Sequence, residues 1–178
     1  LGHKRGKLPQ FLAKLTLMPV CYGHFLVEHN RGHHVNVATP EDPASAKLGE
    51  SFWRFLPRTV IGGLVSAWKL ENKKLERKQL PIWHWSNENL QGWAGSLLLL
   101  VIAIAAGGWW VGLWFIAQAL HGASLLEVVN YVEHYGLKRQ KLENGRYEKC
   151  SPEHSWNSNT VYSNITLFQL QRHSDHHA

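Results

Sequence analysis

Histidines dominate the chemistry that this sequence offers, because there are twelve in 178 residues and half of them lie in two clusters. The first cluster occupies residues 28–34 (EHNRGHH). On a helix, His29 and His33 would share a face because they are four residues apart, whereas His34 would be offset by about 100°. His34 is therefore placed to reach a neighbouring metal ion.

The second cluster occupies residues 173–177 (HSDHH). His173 is three residues from His176 and four from His177, so a helix would bring the three rings to one face. Two single histidines complete the set: His134, within residues 130–137 (NYVEHYGL), and His3 near the start of the chain.

Converging imidazoles favour a metal site, because without a cation several buried ring nitrogens would lack a partner. Eight candidates exceed the four ligands of a closed tetrahedral zinc site and suit two metal ions with open coordination positions. Imidazole binds Zn, Cu, Fe and Ni alike, so the spacing does not select the metal. Four histidines stay outside the ligand set: His24, His84, His121 and His154. His24 could support a ligand or simply be hydrogen-bonded, and His121 in the apolar stretch could be functional or bonded to a helix carbonyl. His84 and His154 are interpreted as surface or connector residues.

The composition limits the class of protein. The chain is long enough for one domain with a core, and its formal charge of +6 is compatible with an anionic lipid surface or an acidic protein. No nucleic-acid-binding motif accompanies the charge, so we expect no nucleic-acid partner. Cys21 and Cys150 are far apart, which argues against a disulfide scaffold or a cysteine-based zinc site.

The elements that must position the histidines include a long apolar stretch, residues 89–126, without a single Asp, Glu, Lys or Arg. As one helix it would be about 57 Å long, whereas the hydrocarbon core of a bilayer is about 30 Å thick. Gly107 and Gly108 lie at its midpoint, and Trp109 and Trp110 suit a membrane interface. The stretch predicts a transmembrane helical hairpin with its turn at residues 107–108; a buried soluble hairpin is the alternative.

Basic residues flank the stretch on both sides, which places both ends of the hairpin in the cytoplasm by the positive-inside rule. Residues 10–28 are predicted to form a helix that Pro19 kinks, and residues 48–80 a second helix. The chain has no initiator Met and stops within a histidine cluster, so we expect residues 1–178 to be a single catalytic domain truncated at both ends.

These clusters, in this order, resemble the integral-membrane alkane hydroxylase family, within the histidine-box superfamily of membrane desaturases and hydroxylases. Residues 28–34 match the superfamily pattern EHxxGHH. Residues 170–177 (LQRHSDHH) and the HYG motif within residues 130–137 are more diagnostic, because HYG separates alkane hydroxylases from xylene-type relatives. The resemblance runs along essentially the whole chain.

The resemblance implies an all-α, integral-membrane helical bundle with a histidine-rich di-iron site that faces the cytoplasm. The family's first box has the form His-Glu-x-x-His-Lys, and its first histidine would lie four residues before His3. The chain would then supply eight of the family's nine histidine ligands: His3, His29, His33, His34, His134, His173, His176 and His177.

Three carboxylates adjoin these ligands in the sequence: Glu28, Glu133 and Asp175. Neutral imidazoles bring no negative charge to a metal, so we expect these carboxylates to accept hydrogen bonds from ligand rings or to balance charge. Ordinary surface pairs with Arg31, Lys138 or Arg172 are the alternative.

The function that the resemblance implies is O2-dependent terminal hydroxylation of medium- or long-chain n-alkanes to primary alcohols at two non-haem Fe ions. Electrons would come from outside the chain, since no nucleotide-binding glycine motif is present, and the resemblance implies rubredoxin as the donor. The protein would be multi-pass in the lipid bilayer of the bacterial inner membrane. Basic residues that could steer an acidic partner, or act only as topology signals or lipid contacts, follow the hairpin: Lys138, Arg139, Lys141, Arg146 and Lys149.

Three alternatives stay open. A xylene- or fatty-acyl-type membrane hydroxylase or desaturase would share the histidine boxes, although the HYG motif counts against it. A non-catalytic membrane metal-binding or transport protein would bind zinc without forming an oxygenated product, but no inverted repeat is visible. A purely structural membrane hairpin would leave the histidine clusters unexplained.

Overall fold

The computed structural model describes residues 6–166 and 170–177, and within them the chain is helical. In this part of the chain, strand-type pairing is limited to two isolated bridges, Lys141 with Tyr147 and Asn157 with Arg172. The all-α prediction is confirmed. The helices are α1 (Lys7–Leu17), α2 (Phe25–Glu28), a π-helix (His29–His33), α3 (His34–Asn36), α4 (Phe52–Arg77), α5 (Glu88–His134), a 3₁₀ turn (Pro152–His154), α6 (Val161–Thr166) and α7 (His173–His177).

The helix predicted over residues 10–28 is interrupted rather than kinked. α1 ends at Leu17 and helical geometry resumes at Phe25. Pro19 has no N–H to donate, and Cys21 adopts a left-handed backbone conformation with φ of 53°, which a continuous right-handed helix does not contain. The intervening turn redirects the chain before the first histidine cluster.

α5 consists of two helical segments joined at Gly108, whose φ of 76° and ψ of −174° lie outside helical geometry. Glycine adopts this conformation without steric cost. A Cβ atom on Gly112 would lie 3.8 Å from Leu100 Cδ1. In one straight helix, residues twelve apart are separated by about 18 Å, so this contact requires the second segment to fold back along the first.

α5 is also the one helix among the described residues that is long and apolar enough to cross a membrane. The mean hydropathy of its most apolar 18-residue window is 2.1, and only 11% of that window is buried. The core helix of a soluble protein would be mostly buried. Large apolar side chains instead face outward along α5, including Trp109 and Trp110 beside the Gly108 turn, as expected of an integral-membrane protein.

The chain is organised as two compact units. The first comprises Leu1–Gly32 and Ile61–Leu126, and the second comprises His33–Val60 and Glu127–Ala178.

The first unit depends on a close approach of two glycines. A Cβ atom on Gly23 would lie 2.8 Å from the Cα atom of Gly92, so the backbone of the turn before α2 lies directly on α5. Trp68 stacks on Trp93 beside this contact, with ring centroids 5.7 Å apart and ring planes 13° from parallel.

The second unit contains a loop, residues 37–51, that Arg58 of α4 holds in place. The Arg58 guanidinium donates to the carbonyl oxygens of Pro43 (3.0 Å) and Ser45 (3.1 Å) and to the Glu50 carboxylate (2.8 Å). Five N–H groups in a fixed plane suit this multiple bonding, which an ammonium group would not reproduce.

Arg139 makes a similar set of bonds to two segments, one that follows the first histidine cluster and one that contains Glu148. Its guanidinium donates to the carbonyl oxygens of Val35 (2.9 Å) and Glu148 (2.7 Å). Of the five basic residues considered for steering a partner, Arg139 therefore has a structural role, whereas Lys138, Lys141, Arg146 and Lys149 are exposed.

Replacing Gly23 by Ala should destabilise the protein by about 1–3 kcal/mol, because the new methyl group forces the turn away from Gly92. The measurement is thermal unfolding of the purified protein in detergent. Gly63→Ala is the matched control, since a Cβ there would meet only Glu28 Cγ at 3.8 Å and alanine favours a helix interior by up to about 1 kcal/mol. Equal melting temperatures for the two variants would contradict the close-packing argument.

Candidate metal centre

The first histidine cluster is wound as a π-helix, His29–His33, and not as the α-helix that the spacing predicted. Because π-helical hydrogen bonds join residues five apart, the turn is wider than an α-helical turn. His33 is directed to His134 and His173, whereas His34 is directed to His176. π-helical turns are rare and occur frequently at functional sites.

The most buried group of rings lies in the second unit. His33, His134 and His173 have exposed fractions of 0%, 0% and 2%. They come from the π-helix, the end of α5 and the start of α7, and their candidate ligand atoms all lie within 4.8 Å of one another. Nε2 of His134 is 3.0 Å from Nε2 of His173.

Carboxylates lie against the opposite nitrogens of two of these rings. Nδ1 of His33 is 2.9 Å from Oδ2 of Asp42, and Nδ1 of His173 is 2.9 Å from Oε2 of Glu133. A carboxylate oxygen accepts hydrogen bonds and so favours a proton on the facing Nδ1. Each Nε2 then carries a lone pair.

The third ring is oriented by the backbone. Nδ1 of His134 is 3.1 Å from the carbonyl oxygen of His154, which can only accept, so this Nδ1 also carries the proton. Ligand histidines in metalloproteins commonly donate their second ring nitrogen to a carboxylate or a backbone carbonyl.

This arrangement fits a bound metal ion. Two ring nitrogens with lone pairs repel at 3.0 Å, and a buried site disfavours relieving that repulsion by protonation. A cation that accepts both lone pairs removes the conflict, and neutral imidazole is the form that ligates metal. The three rings could therefore hold one ion through Nε2.

A second pair of rings repeats the pattern in the same unit. Nε2 of His34 is 3.2 Å from Nε2 of His176, and both residues are partly exposed. The ring centroids of His173 and His176 are 5.2 Å apart on α7, so the second pair adjoins the first group. Two metal positions side by side would use the α7 histidines in this way.

The other predicted ligands and carboxylates are placed differently. His29 belongs to the first unit, where its ring stacks on Phe25 with centroids 4.9 Å apart. Glu28 is buried, and its carboxylate accepts a hydrogen bond of 3.3 Å from Ser66 and fills the space where a Cβ on Gly32 would lie. His3 and the side chains of Asp175 and His177 lie outside the described residues.

Asp42 is a site residue that the sequence did not reveal. Its side chain is fully buried; Oδ1 accepts the Ala44 N–H at 3.0 Å and Oδ2 accepts the Ser45 hydroxyl at 2.5 Å, besides facing His33. It follows Glu41 in a polar loop, where nothing in the local sequence distinguishes a buried carboxylate from an exposed one.

His154 is also more than the surface connector that the sequence indicated. It is 7% exposed, and its Nδ1 accepts the Ser151 N–H at 3.0 Å while Nε2 lies 3.2 Å from Glu148. The ring thereby fixes the turn whose carbonyl oxygen faces His134.

The remaining histidines lie apart from these groups. His24 is buried, and neither of its ring nitrogens has a hydrogen-bond partner among the described residues. Burial lowers the pKa of His24 to about 4. His84 accepts the Ser86 N–H at 3.2 Å, and His121 is exposed on α5.

The sequence profile of the Fatty acid desaturase family matches residues 1–178. The chain belongs to the fatty acid desaturase family. Within this family, the chain is 51% identical over 178 residues to alkane 1-monooxygenase of Acinetobacter baylyi, all of this chain against 44% of that protein. It is 51% identical over 178 residues to alkane 1-monooxygenase 2 of Pseudomonas aeruginosa, all of this chain against 47% of that protein.

A more distant relative is the xylene/toluene monooxygenase hydroxylase component XylM of Pseudomonas putida, which is 29% identical over 177 residues, 99% of this chain and 47% of that protein. The chain spans about half the length of the curated relatives it matches. Family membership and the converging rings both point to a metal centre, and the histidine groups of this desaturase family member are its candidate ligands.

Replacing Asp42 by Asn should weaken metal binding by about 10–100-fold, the usual effect of losing a carboxylate that orients a ligand histidine. The measurement is retention of metal against increasing chelator. Glu41→Gln is the control, because Glu41 is the adjacent carboxylate but is exposed. Unchanged retention in the Asp42 variant would show that His33 is oriented without it.

Acidification should destabilise the protein through His24. The unfolded residue binds a proton below about pH 6.5, but the folded residue resists protonation until its pKa of about 4. Stability is therefore complete above pH 6.5 and falls as the pH drops toward 4, by about 2 kcal/mol at pH 5. Thermal unfolding at pH 7.5 and 5.0 should show a smaller loss for His24→Phe than for the native protein. His121→Phe, at an exposed site, should keep the full loss; a full loss in His24→Phe as well would contradict the assignment.

Proposed function

We propose that the protein containing this chain hydroxylates the terminal carbon of medium- or long-chain n-alkanes, using O2 and two non-haem iron ions. The observation that carries the proposal is the convergence of ring nitrogens from His33, His134 and His173 within 4.8 Å of one another in a buried site. Relatives named alkane 1-monooxygenase, at 43–51% identity over the whole chain, supply the reaction class.

The proposed ligands divide between two ions. His33, His134 and His173 hold the first. His34 and His176 hold the second, and the resemblance to the histidine-box family adds His29 to the ligands. His3 and His177 complete the set of eight.

The chain's own groups prepare the ligands for this chemistry. Asp42, Glu133 and the His154 carbonyl oxygen keep the proton on Nδ1, so that each Nε2 faces the metal unprotonated. The two carboxylates also offset positive charge in a buried site. Bound iron would supply O2 activation and the oxidising power for an unactivated C–H bond.

The overall reaction consumes one alkane, one O2, two electrons and two protons. One oxygen atom enters a terminal C–H bond to give the primary alcohol, and the other leaves as water. Rubredoxin is the proposed electron donor, and the exposed cations Lys138, Lys141, Arg146 and Lys149 offer it an attractive surface.

We further propose that residues 89–126 form a transmembrane hairpin with both ends in the cytoplasm, in the multi-pass topology of a bacterial inner-membrane protein. The exposed apolar surface of α5 and the basic flanks support this orientation. An alkane has no polar group, so entry from the bilayer suits it.

The test supplies octane, O2 and reduced rubredoxin to the full-length protein in membranes. We expect 1-octanol, and we expect His134→Ala to abolish it because a buried ligand is lost. His84→Ala is the control, since His84 lies outside both groups of rings and should leave turnover unchanged. Undiminished 1-octanol formation by His134→Ala would remove His134 from the ligand set.

The same assay separates the alternatives. Benzylic alcohol from p-xylene without octanol would favour a xylene-type hydroxylase, the class of the 29% identical relative. An alkene product would favour a desaturase. Stoichiometric zinc with no oxygenated product would favour a non-catalytic metal-binding protein.

A further inference from the structure

Arg31, the middle residue of the π-helix, is held by two carboxylates of the first unit. Its Nη1 lies 2.7 Å from Oε1 of Glu71 on α4, and its Nη2 lies 3.1 Å from Oε2 of Glu88 at the start of α5. Lys74 bridges the same two carboxylates, at 3.0 Å from Glu71 and 2.7 Å from Glu88. One guanidinium and one ammonium group thus each contact both carboxylates, and Lys14 adds a third cation 4.0 Å from Glu88.

Burial makes this network different from a surface ion pair. The Glu71 side chain is 0% exposed, and its Oε2 also accepts the backbone N–H of Glu88 at 3.0 Å. Exposed ion pairs contribute little, whereas removing one partner of a buried pair leaves an uncompensated charge and is strongly destabilising. Two carboxylates at fixed positions also fix the orientation of the planar guanidinium that donates to them.

Arg31 stands two residues from His29 and two from His33, so it lies about half a turn from both and emerges from the opposite side of the helix. A π-helical turn is rare and has poorer intrinsic stability than an α-helical turn, so it needs an external constraint. The ion pairs of Arg31 with Glu71 on α4 and Glu88 on α5 supply such a constraint, on the side of the helix away from the His29 and His33 rings.

We propose that Arg31, fixed by Glu71 and Glu88, is a positioning residue that sets the rotation of the histidine-bearing π-helix and hence the direction of its metal ligands. This inference rests on the proposed function, because it concerns the ligands of the proposed iron ions. It assigns a role to an arginine that the sequence had considered only as a surface partner of Glu28.

The chain offers a control that separates positioning from general stability. Lys74 contacts the same two carboxylates but lies on α4, outside the π-helix. Arg31→Met and Lys74→Met each remove one cation from the same network, and only the first releases the histidine-bearing turn. Arg31→Lys keeps the charge but lacks the planar fork.

The experiment uses the full-length protein purified with iron. It measures iron per protein against increasing chelator, the Mössbauer spectrum of the bound iron, and the melting temperature. We expect Arg31→Met to lose iron at a chelator concentration at least tenfold lower than the native protein and to show an altered spectrum. Arg31→Lys should lie between them. Lys74→Met should melt at a lower temperature with native iron retention and a native spectrum.

Native iron retention and a native spectrum in Arg31→Met would overturn the inference. So would equal iron loss in Arg31→Met and Lys74→Met, because the network would then act only through stability. The iron content of the native protein is measured first. If the native protein binds no iron, the proposed function fails. If the native protein is active and the Arg31→Met variant is unaffected, only the positioning role is overturned.

Discussion

Nε2 of His134 lies 3.0 Å from Nε2 of His173 in a buried site, and a cation that accepts the lone pairs of both rings removes the repulsion between them. The backbone and side chains could relieve it by rotating a ring or moving a proton. Both routes are disfavoured, because Asp42, Glu133 and the His154 carbonyl oxygen lie against the opposite nitrogen of each ring. The folded chain therefore maintains a site whose electrostatics favour a cation.

Maintaining such a site requires rigid support from parts of the chain that are far apart in sequence. The loop that carries Asp42 is held by Arg58 through two carbonyl oxygens and a carboxylate. The π-helix is followed by a segment to which Arg139 donates. In each case a guanidinium bonds to several acceptors at once, which fixes a loop more tightly than one hydrogen bond would.

The sequence predicted the features that depend on residue type and the features that depend on periodicity. The helical class and the apolar α5 followed from composition and periodicity, and the grouping of His134 with the C-terminal cluster was expected from the family resemblance. The π-helical winding did not follow, because a spacing of four residues is the same in the sequence whichever helix forms. Asp42 was missed for a related reason. The loop that carries it is held by the hydrogen bonds of Arg58, and no sequence pattern around residue 42 predicts that the carboxylate is buried. The interruption of α1 near Pro19 was anticipated only as a kink, since the left-handed conformation of Cys21 has no signature in a cysteine side chain.

The orientation of His134 differs from that of its two neighbours, because its acceptor belongs to the main chain. Every amino acid carries a carbonyl oxygen, so exchanging residue 154 affects this acceptor only through the turn, which the His154 ring fixes. The acceptor disappears only when the turn itself moves. Insertions and deletions between residues 148 and 157 are therefore the genetic changes to which this ligand is most exposed, and an alignment that scores side-chain identity alone would overlook the constraint.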